Sequence, residues 1–269
     1  MVSSVRACGV ITLTTDFGHK GPYVATMKGV MLRRFPDAKI IDLTHEVFVH
    51  WPVEAGFWLE RAFRYFPEGT VHVAVVDPGV GTLRDIIVAE HEGHVFLAPD
   101  NGLLGSLLRD LEVSPTYRLD LGRTGKFQFD PPSATFHGRD IFAPLAAEVA
   151  AGRCRPADMG PRIHEIVPGW VDAPEVDGDR VQGVIITADH FGNLISNIDE
   201  ALVSRFEAPR VTIAGRELLV QRTYGERKPG EYLALINSFG VLEIARAEDS
   251  AAEGLGVGRG APVVVRGAR

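Results

Sequence analysis

The residues with the most chemical promise lie at 77–84. An apolar, largely β-branched run at 71–76 ends at Asp77-Pro78-Gly79 and continues as Val80-Gly81-Thr82-Leu83-Arg84. Proline lacks the amide donor that a continuing strand needs, and glycine accepts backbone angles that other residues avoid. A carboxylate is therefore expected at the carboxyl end of a buried strand, with a Gly-rich turn and a guanidinium close behind. In open α/β sheets, ligands bind at such strand ends. The plainer alternative is that Asp77 caps its own turn.

The same pattern occurs earlier, where an apolar run at 10–13 leads into Thr14-Thr15-Asp16-Phe17-Gly18. Carboxylates at strand ends suit a ribose diol, as acidic residues do in dinucleotide folds. The chain has no G-x-G-x-x-G fingerprint and no Walker loop, so a phosphate-bearing ligand is not indicated. In Thr135-Phe136-His137-Gly138-Arg139-Asp140, an imidazole sits beside a glycine at a helix entrance. It could be a base, a ligand or a donor, or simply make a polar contact. In Asp189-His190-Phe191-Gly192-Asn193, Phe191 offers a face to a planar base and Asn193 an edge reader, although asparagine in a tight turn also accounts for the pattern. Asn237-Ser238-Phe239-Gly240 suits close approach to a carboxylate or amine, or a hairpin bend. Asp16, His45, Asp77 and His137 could be imagined around a metal, but no H-E-x-x-H or cysteine pair supports this, so neither metal nor cofactor is expected.

The elements that must carry these groups follow from periodicity. Strands at 10–13, 39–43 and 71–76 alternate with helices at 23–35, stopped by Pro36, and from Pro52 onward, where Val53, Phe57, Leu59, Ala62, Phe63 and Phe66 form a stripe. This alternation gives a mostly parallel sheet with helices on its faces. Runs at 86–90 and 94–98 flank Glu92-Gly93, a hairpin signal. Pro99-Asp100-Asn101-Gly102 is expected to open a short helix at 103–111. A strand at 116–119, a Pro-rich loop at 127–133 and an alanine-rich helix at 141–151 follow. Pro156, Pro161, Pro168 and Pro174 mark a linker, and beyond it strands are expected at 181–187, 210–213, 217–220, 232–236, 242–245 and 262–265, with one helix at 200–206. The fold class is α/β: an N-terminal α/β sandwich at 1–165, a linker at 166–180 and a smaller C-terminal β-barrel-like domain at 181–269.

The 269 residues are 45% hydrophobic and 23% charged, enough for a substantial core. A formal net charge of −7 argues against nucleic acid as a partner. No stretch has the length and apolarity of a membrane span, and the N-terminus lacks a signal-peptide core. Cys8 and Cys154 make no disulfide framework, which suits reduced thiols in the cytoplasm.

Taken in order, Leu13 to Gly18, Val76 to Thr82 with Arg84, Ala98 to Gly102, Phe136 to Asp140, Phe191 to Asn193 and Asn237 to Gly240 resemble the S-adenosyl-L-methionine hydroxide adenosyltransferase family, the S-adenosylmethionine hydrolases, over nearly the whole chain. That family is similar in fold to the S-adenosylmethionine-dependent fluorinase and chlorinase. The resemblance implies a homotrimer with substrate between neighbouring subunits. It implies that Asp77, Arg84 and His137 form the catalytic set that handles water. It further implies that Asp16 holds the ribose hydroxyls and that Trp51 lines the wall near the reacting carbon. Asp189, Phe191 and Asn193 would come from the β domain, with Ser238 near the methionine end; Thr135, Phe136 and Glu243 complete the substrate-binding set. The halogenases carry a serine where this chain has Gly138 and an aromatic residue where it has Asp77. An anionic side chain repels halide, so the resemblance implies hydrolysis of S-adenosylmethionine to adenosine and L-methionine. A halogenase and a non-catalytic S-adenosylmethionine or adenosine binder are the alternatives. Lys20-Gly21 stands where many relatives have an acidic residue.

Overall fold

In the computed structural model, strands β1 (Val10–Thr15), β2 (Lys39–Thr44) and β3 (Val71–Val75) run parallel, joined through helices α1 (Tyr23–Arg34) and α2 (Pro52–Ala62). The structure describes residues 5–125, 127 and 131–267. β1 and β3 are buried along their whole length, as β-branched runs covered on both faces should be. β4 (Ile86–His91) and β5 (His94–Pro99) form the expected hairpin, with Glu92 and Gly93 both at positive φ, 45° and 79°. β6 (Thr116–Arg118) and β7 (Arg162–Ile163) complete a seven-stranded sheet of order β2-β1-β3-β5-β4-β6-β7. Short α3 (Leu121–Thr124) follows β6, and its N-cap Asp120 accepts from Gly122 and Arg123 amides.

Helices cover both faces of this sheet. Met27 and Met31 of α1 and Leu145 and Ala146 of α4 (Ala143–Ala150) pack with Ile11, Leu13 and Val73 on one side. Ala55 and Leu59 of α2 pack with Phe63, Phe96, Leu103 and Leu104 on the other. The helix expected at 141–151 begins earlier, as a π-type turn over Gly138–Phe142.

The helix expected at 103–111 does not form, and the segment is a series of turns. Asn101 Oδ1 accepts the Leu103 amide, and Gly102 has φ +89°, outside the helical range. A Cβ on Gly105 would lie 2.2 Å from the Gly169 nitrogen, so backbone crosses backbone there. Leu103, Leu104, Leu107 and Leu108 are still buried, which is why their spacing reads as a helix. Part of the loop expected at 127–133, residues 128–130, lies outside the described residues.

The chain divides into two compact units, Met1–Trp170 and Val171–Arg269. The second is built of β8 (Glu175–Asp177), β9 (Arg180–Ala188), β10 (Leu194–Asp199), β11 (Arg210–Ile213), β12 (Arg216–Gln221), β13 (Tyr232–Ile236), β14 (Val241–Arg246) and β15 (Pro262–Arg266), with α5 (Glu200–Val203) and α6 (Ala251–Leu255). The order β10-β14-β13-β12-β11-β15-β9 closes on itself because β10 also pairs with β9, giving a seven-stranded barrel with β8 appended to β9. Its interior is filled by alternate residues such as Val211, Ile213, Val263 and Val265. β8 lies in the stretch expected as linker; all three of its residues are exposed, so it leaves no burial pattern to read. The helix expected at 200–206 ends at Val203.

Candidate active site

β3 stops where the sequence demands, and the chain turns through 77–85 before entering β4. The turn is tied by Val80 N to Asp77 O at 3.2 Å and Thr82 N to Gly79 O at 3.1 Å. Gly81 has φ +77°, and a Cβ there would sit 2.1 Å from the Ala134 carbonyl oxygen. Glycine is thus what lets this loop rest directly on the segment that carries His137.

The three side chains expected to act together are in contact. Arg84 Nε donates to both Asp77 oxygens, at 3.0 and 2.9 Å, and Nη2 also donates to Oδ2. The same Nη2 lies 2.8 Å from His137 Nδ1. The Asp77 and Arg84 side chains are 4% and 11% exposed, so solvent screens the pair little. A guanidinium can donate but not accept. His137 Nδ1 must therefore present its lone pair, which leaves the proton of the neutral ring on Nε2. Burial, and then the adjacent Arg84 charge, push the His137 pKa below its ordinary value, which favours the neutral ring.

Around Asp16 the geometry is fixed by His45. Its backbone oxygen accepts the Gly18 amide at 2.8 Å, and its Nδ1 lies 2.8 Å from Thr15 Oγ1, which accepts the Phe17 amide. Asp16 Oδ2 accepts the His50 amide at 2.9 Å, and His50 has φ +62°. This bond tethers the loop leading to Trp51, whose ring meets Trp170 edge-on at 6.0 Å. Phe136 packs edge-on against Phe17 and Tyr23, and Thr135 Oγ1 lies 3.2 Å from Ser133 Oγ. A Cβ on Gly138 would come within 3.1 Å of Met27 Sδ and 3.2 Å of Phe136, so a larger residue there requires its neighbours to move.

In the second unit the expected residues form a different kind of cluster. Asp189 Oδ1 accepts the amides of Phe191 and Asn193 at 2.9 Å each, and Oδ2 accepts Asn193 Nδ2 at 3.1 Å. Glu243, 2% exposed, accepts from Tyr224 Oη at 2.7 Å and Asn237 Nδ2 at 3.2 Å. Burial raises the Glu243 pKa; burial and then the Glu243 hydrogen bond raise that of Tyr224. Phe191 is 74% exposed and, with Asn193, Tyr224, Arg246 and Ser250, lines a cavity of about 570 Å³. Ser238 is exposed in the turn before β14. Tyr224 and Arg246 were not among the expected site residues; neither stands in a motif, Arg246 ending β14 and Tyr224 opening a short 3-10 turn after β12.

Among the described residues, no group of three or more His, Cys, Asp and Glu could hold a metal ion, and no helix is long and apolar enough to cross a membrane. Residues 11–160 match the SAM hydroxide adenosyltransferase N-terminal domain, and residues 183–264 match the corresponding C-terminal domain. An (R)-S-adenosyl-L-methionine hydrolase of Thermus thermophilus is 38% identical over 256 residues, covering 93% of this chain and 96% of that one. A fluorinase of Nocardia brasiliensis is 28% identical over 275 residues, covering 88% and 90%. The crystal structure of an uncharacterized conserved protein from Thermotoga maritima superposes with a TM-score of 0.87 at 35% identity, covering 95% of this chain and 99% of that one.

Proposed function

The chain belongs to the SAM hydroxide adenosyltransferase family, and on that premise we propose that it hydrolyses S-adenosyl-L-methionine to adenosine and L-methionine. Water attacks the ribose C5′ in line with the sulfonium. The new O–C5′ bond forms as the C5′–S bond breaks, and the bonding pair leaves on sulfur as the neutral thioether of methionine. Such a leaving group needs no general acid, so the demand falls on the nucleophile. Holding a water in line can supply up to about 7–11 kcal/mol of the barrier in favourable cases.

Each member of the trio has a distinct part. Arg84, permanently cationic, stabilises hydroxide character on the attacking oxygen. Asp77, the one anion, fixes Arg84 and receives the water proton on its way to solvent. His137 holds the other side of Arg84 through Nδ1 and offers Nε2–H to the water. Asp16 binds the ribose hydroxyls, Trp51 walls the sulfonium with a cation–π contribution, and Thr135 and Phe136 shape the same pocket. Asp189, Phe191, Asn193, Glu243 and Ser238 recognise the remaining base and methionine groups. The observation that carries this reading is Arg84 Nη2 bridging Asp77 and His137. Asp77 and the tight surroundings of Gly138 favour water over halide.

We propose no cofactor, and a homotrimer as the working form. Exposed Ile41 on edge strand β2, Phe48 and Val49 in the loop after it, and Tyr23 and Leu32 on α1 support an apolar contact between copies. A cysteine content of two, Cys8 and Cys154, favours a cytoplasmic location. The Thermus relative's name specifies the R configuration at sulfur, and we extend that preference to this chain.

Chromatography of products from each sulfonium epimer, with chloride and fluoride present, tests the reading. Equimolar adenosine and methionine, faster from the R epimer, is the expected result. A 5′-halo-5′-deoxyadenosine as the main product, or binding without turnover, would contradict it.

A further inference from the structure

We propose that Asn101 is a positioning residue that sets the Asp77–Arg84 pair by gripping the mouth of its loop; this rests on the hydrolase reading above. The loop 77–84 leaves β3 and returns as β4, which are not neighbours in the sheet. β5 lies between them, in the order β3-β5-β4. The turn at the end of β5 therefore sits between the loop's exit and its return, and it binds both. Asn101 Nδ2 donates to the Val76 carbonyl at 2.8 Å, one residue before Asp77. The Asp100 amide donates to the Asp85 carbonyl at 3.0 Å, one residue after Arg84.

Among the described residues, the hydrogen bond to the Val76 carbonyl comes from the Asn101 side chain. β3 pairs with β5 through Val73 and Leu97, and the regular register stops there. Val76 is fully buried, so its carbonyl takes its hydrogen bond from a side chain rather than from solvent. Asn101 is held in turn, because its Oδ1 accepts the Leu103 amide at 3.3 Å. Leu103 is itself pinned under α2, where a Cβ on Gly56 would lie 2.0 Å from the Leu103 oxygen. A rigid chain of contacts thus runs from α2 through the 100–103 turn to the backbone on each side of the catalytic pair. Both functions of the amide are used, donor toward Val76 and acceptor from Leu103. Aspartate has the same shape but supplies no donor.

The decisive comparison is wild type against Asn101→Asp and the smaller Asn101→Ser, the latter standing in should the charged variant not fold. Two properties are read on folded protein: kcat and KM for adenosine release, and the ¹⁵N titration of the His137 ring, assigned with His137→Gln. The expected outcome is a fall in kcat of about 10- to 100-fold, the scale of a misplaced reacting group, with KM changed less than about threefold. The His137 pKa should rise toward its ordinary value as the Arg84 contact loosens. Wild-type values for either property overturn the proposal. So does a loss of kcat with an unmoved His137 titration, since a general structural defect would do the same. If wild type releases no adenosine, the hydrolase reading fails, and the His137 titration alone then decides whether Asn101 sets the cluster.

Discussion

Asp77 and Asp189 both lie within two residues of a strand end, and both precede a glycine-containing turn, yet they end in opposite situations. The oxygens of Asp189 are taken by the amides and side chain of its own turn, from Phe191 and Asn193. Those of Asp77 are taken by Arg84, which also reaches His137 on a segment far along the chain. Position at a strand end therefore does not make an aspartate a reactive group. The partner decides: amides from its own turn make Asp189 a scaffold for Asn193, whereas a guanidinium makes Asp77 half of a charged pair, the pair we propose orients water.

The contrast is sharpened most by Asp77→Asn, which keeps the shape and removes the anion. Steady-state kinetics should show kcat reduced roughly 10²- to 10⁴-fold with KM little changed; an equal loss in both would make Asp77 a binding residue. Gly81→Ala strikes the same loop through its backbone. The positive φ and the Ala134 carbonyl both oppose a Cβ, and chemical denaturation should reveal a loss of about 1–3 kcal/mol. In the barrel, Asn193→Ala should instead raise KM roughly tenfold, as loss of a buried hydrogen-bonding group would, while kcat changes little. A kcat effect as large as that of Asp77→Asn would erase the distinction between the two regions.

The two units also differ in their response to acid. His72 is fully buried beside His94 and Thr12, and burial pushes its pKa down to about 3. The unfolded chain then binds a proton below 6.5 that the folded chain refuses. The His72 contribution is intact above pH 6.5 and declines as pH falls toward 3, by at most about 1.4 kcal/mol per pH unit. Glu243 has a raised pKa, so its folded form holds a proton that the unfolded form gives up. That contribution is present at low pH and is lost as pH rises above the ordinary carboxyl value. Hydrogen exchange as pH is lowered from 7 to 4 should show protection falling first around β3 and β5, with the barrel strands holding longer. The reverse order would contradict these assignments.

Much of this was legible in the sequence because chain punctuation is local. Pro78, Gly79 and Gly81 ended a strand, Glu92-Gly93 turned a hairpin, and alternating apolar residues outlined most barrel strands. Asp77 stands out beside Pro78 just past a strand, Arg84 three residues beyond Gly81 in the same turn, and His137 beside Gly138 at a helix entrance. What escaped is decided at a distance. Leu103, Leu104, Leu107 and Leu108 have helical spacing, but contact with the backbone at 169 holds them in turns. Exposed β8 joins a sheet without an apolar stripe. Asn101 belonged to a recognisable motif, but its hold on Val76 depends on β5 lying between β3 and β4, a strand order that no local pattern encodes.

The most direct test of the central claim is turnover in ¹⁸O-labelled water followed by mass spectrometry of the nucleoside product. If Arg84, Asp77 and His137 direct a water onto the sugar carbon, one labelled oxygen appears at C5′ of adenosine and none in methionine. Adenosine carrying no label at C5′, or labelled methionine, would mean that solvent attacks elsewhere and that the trio does not perform the task assigned to it.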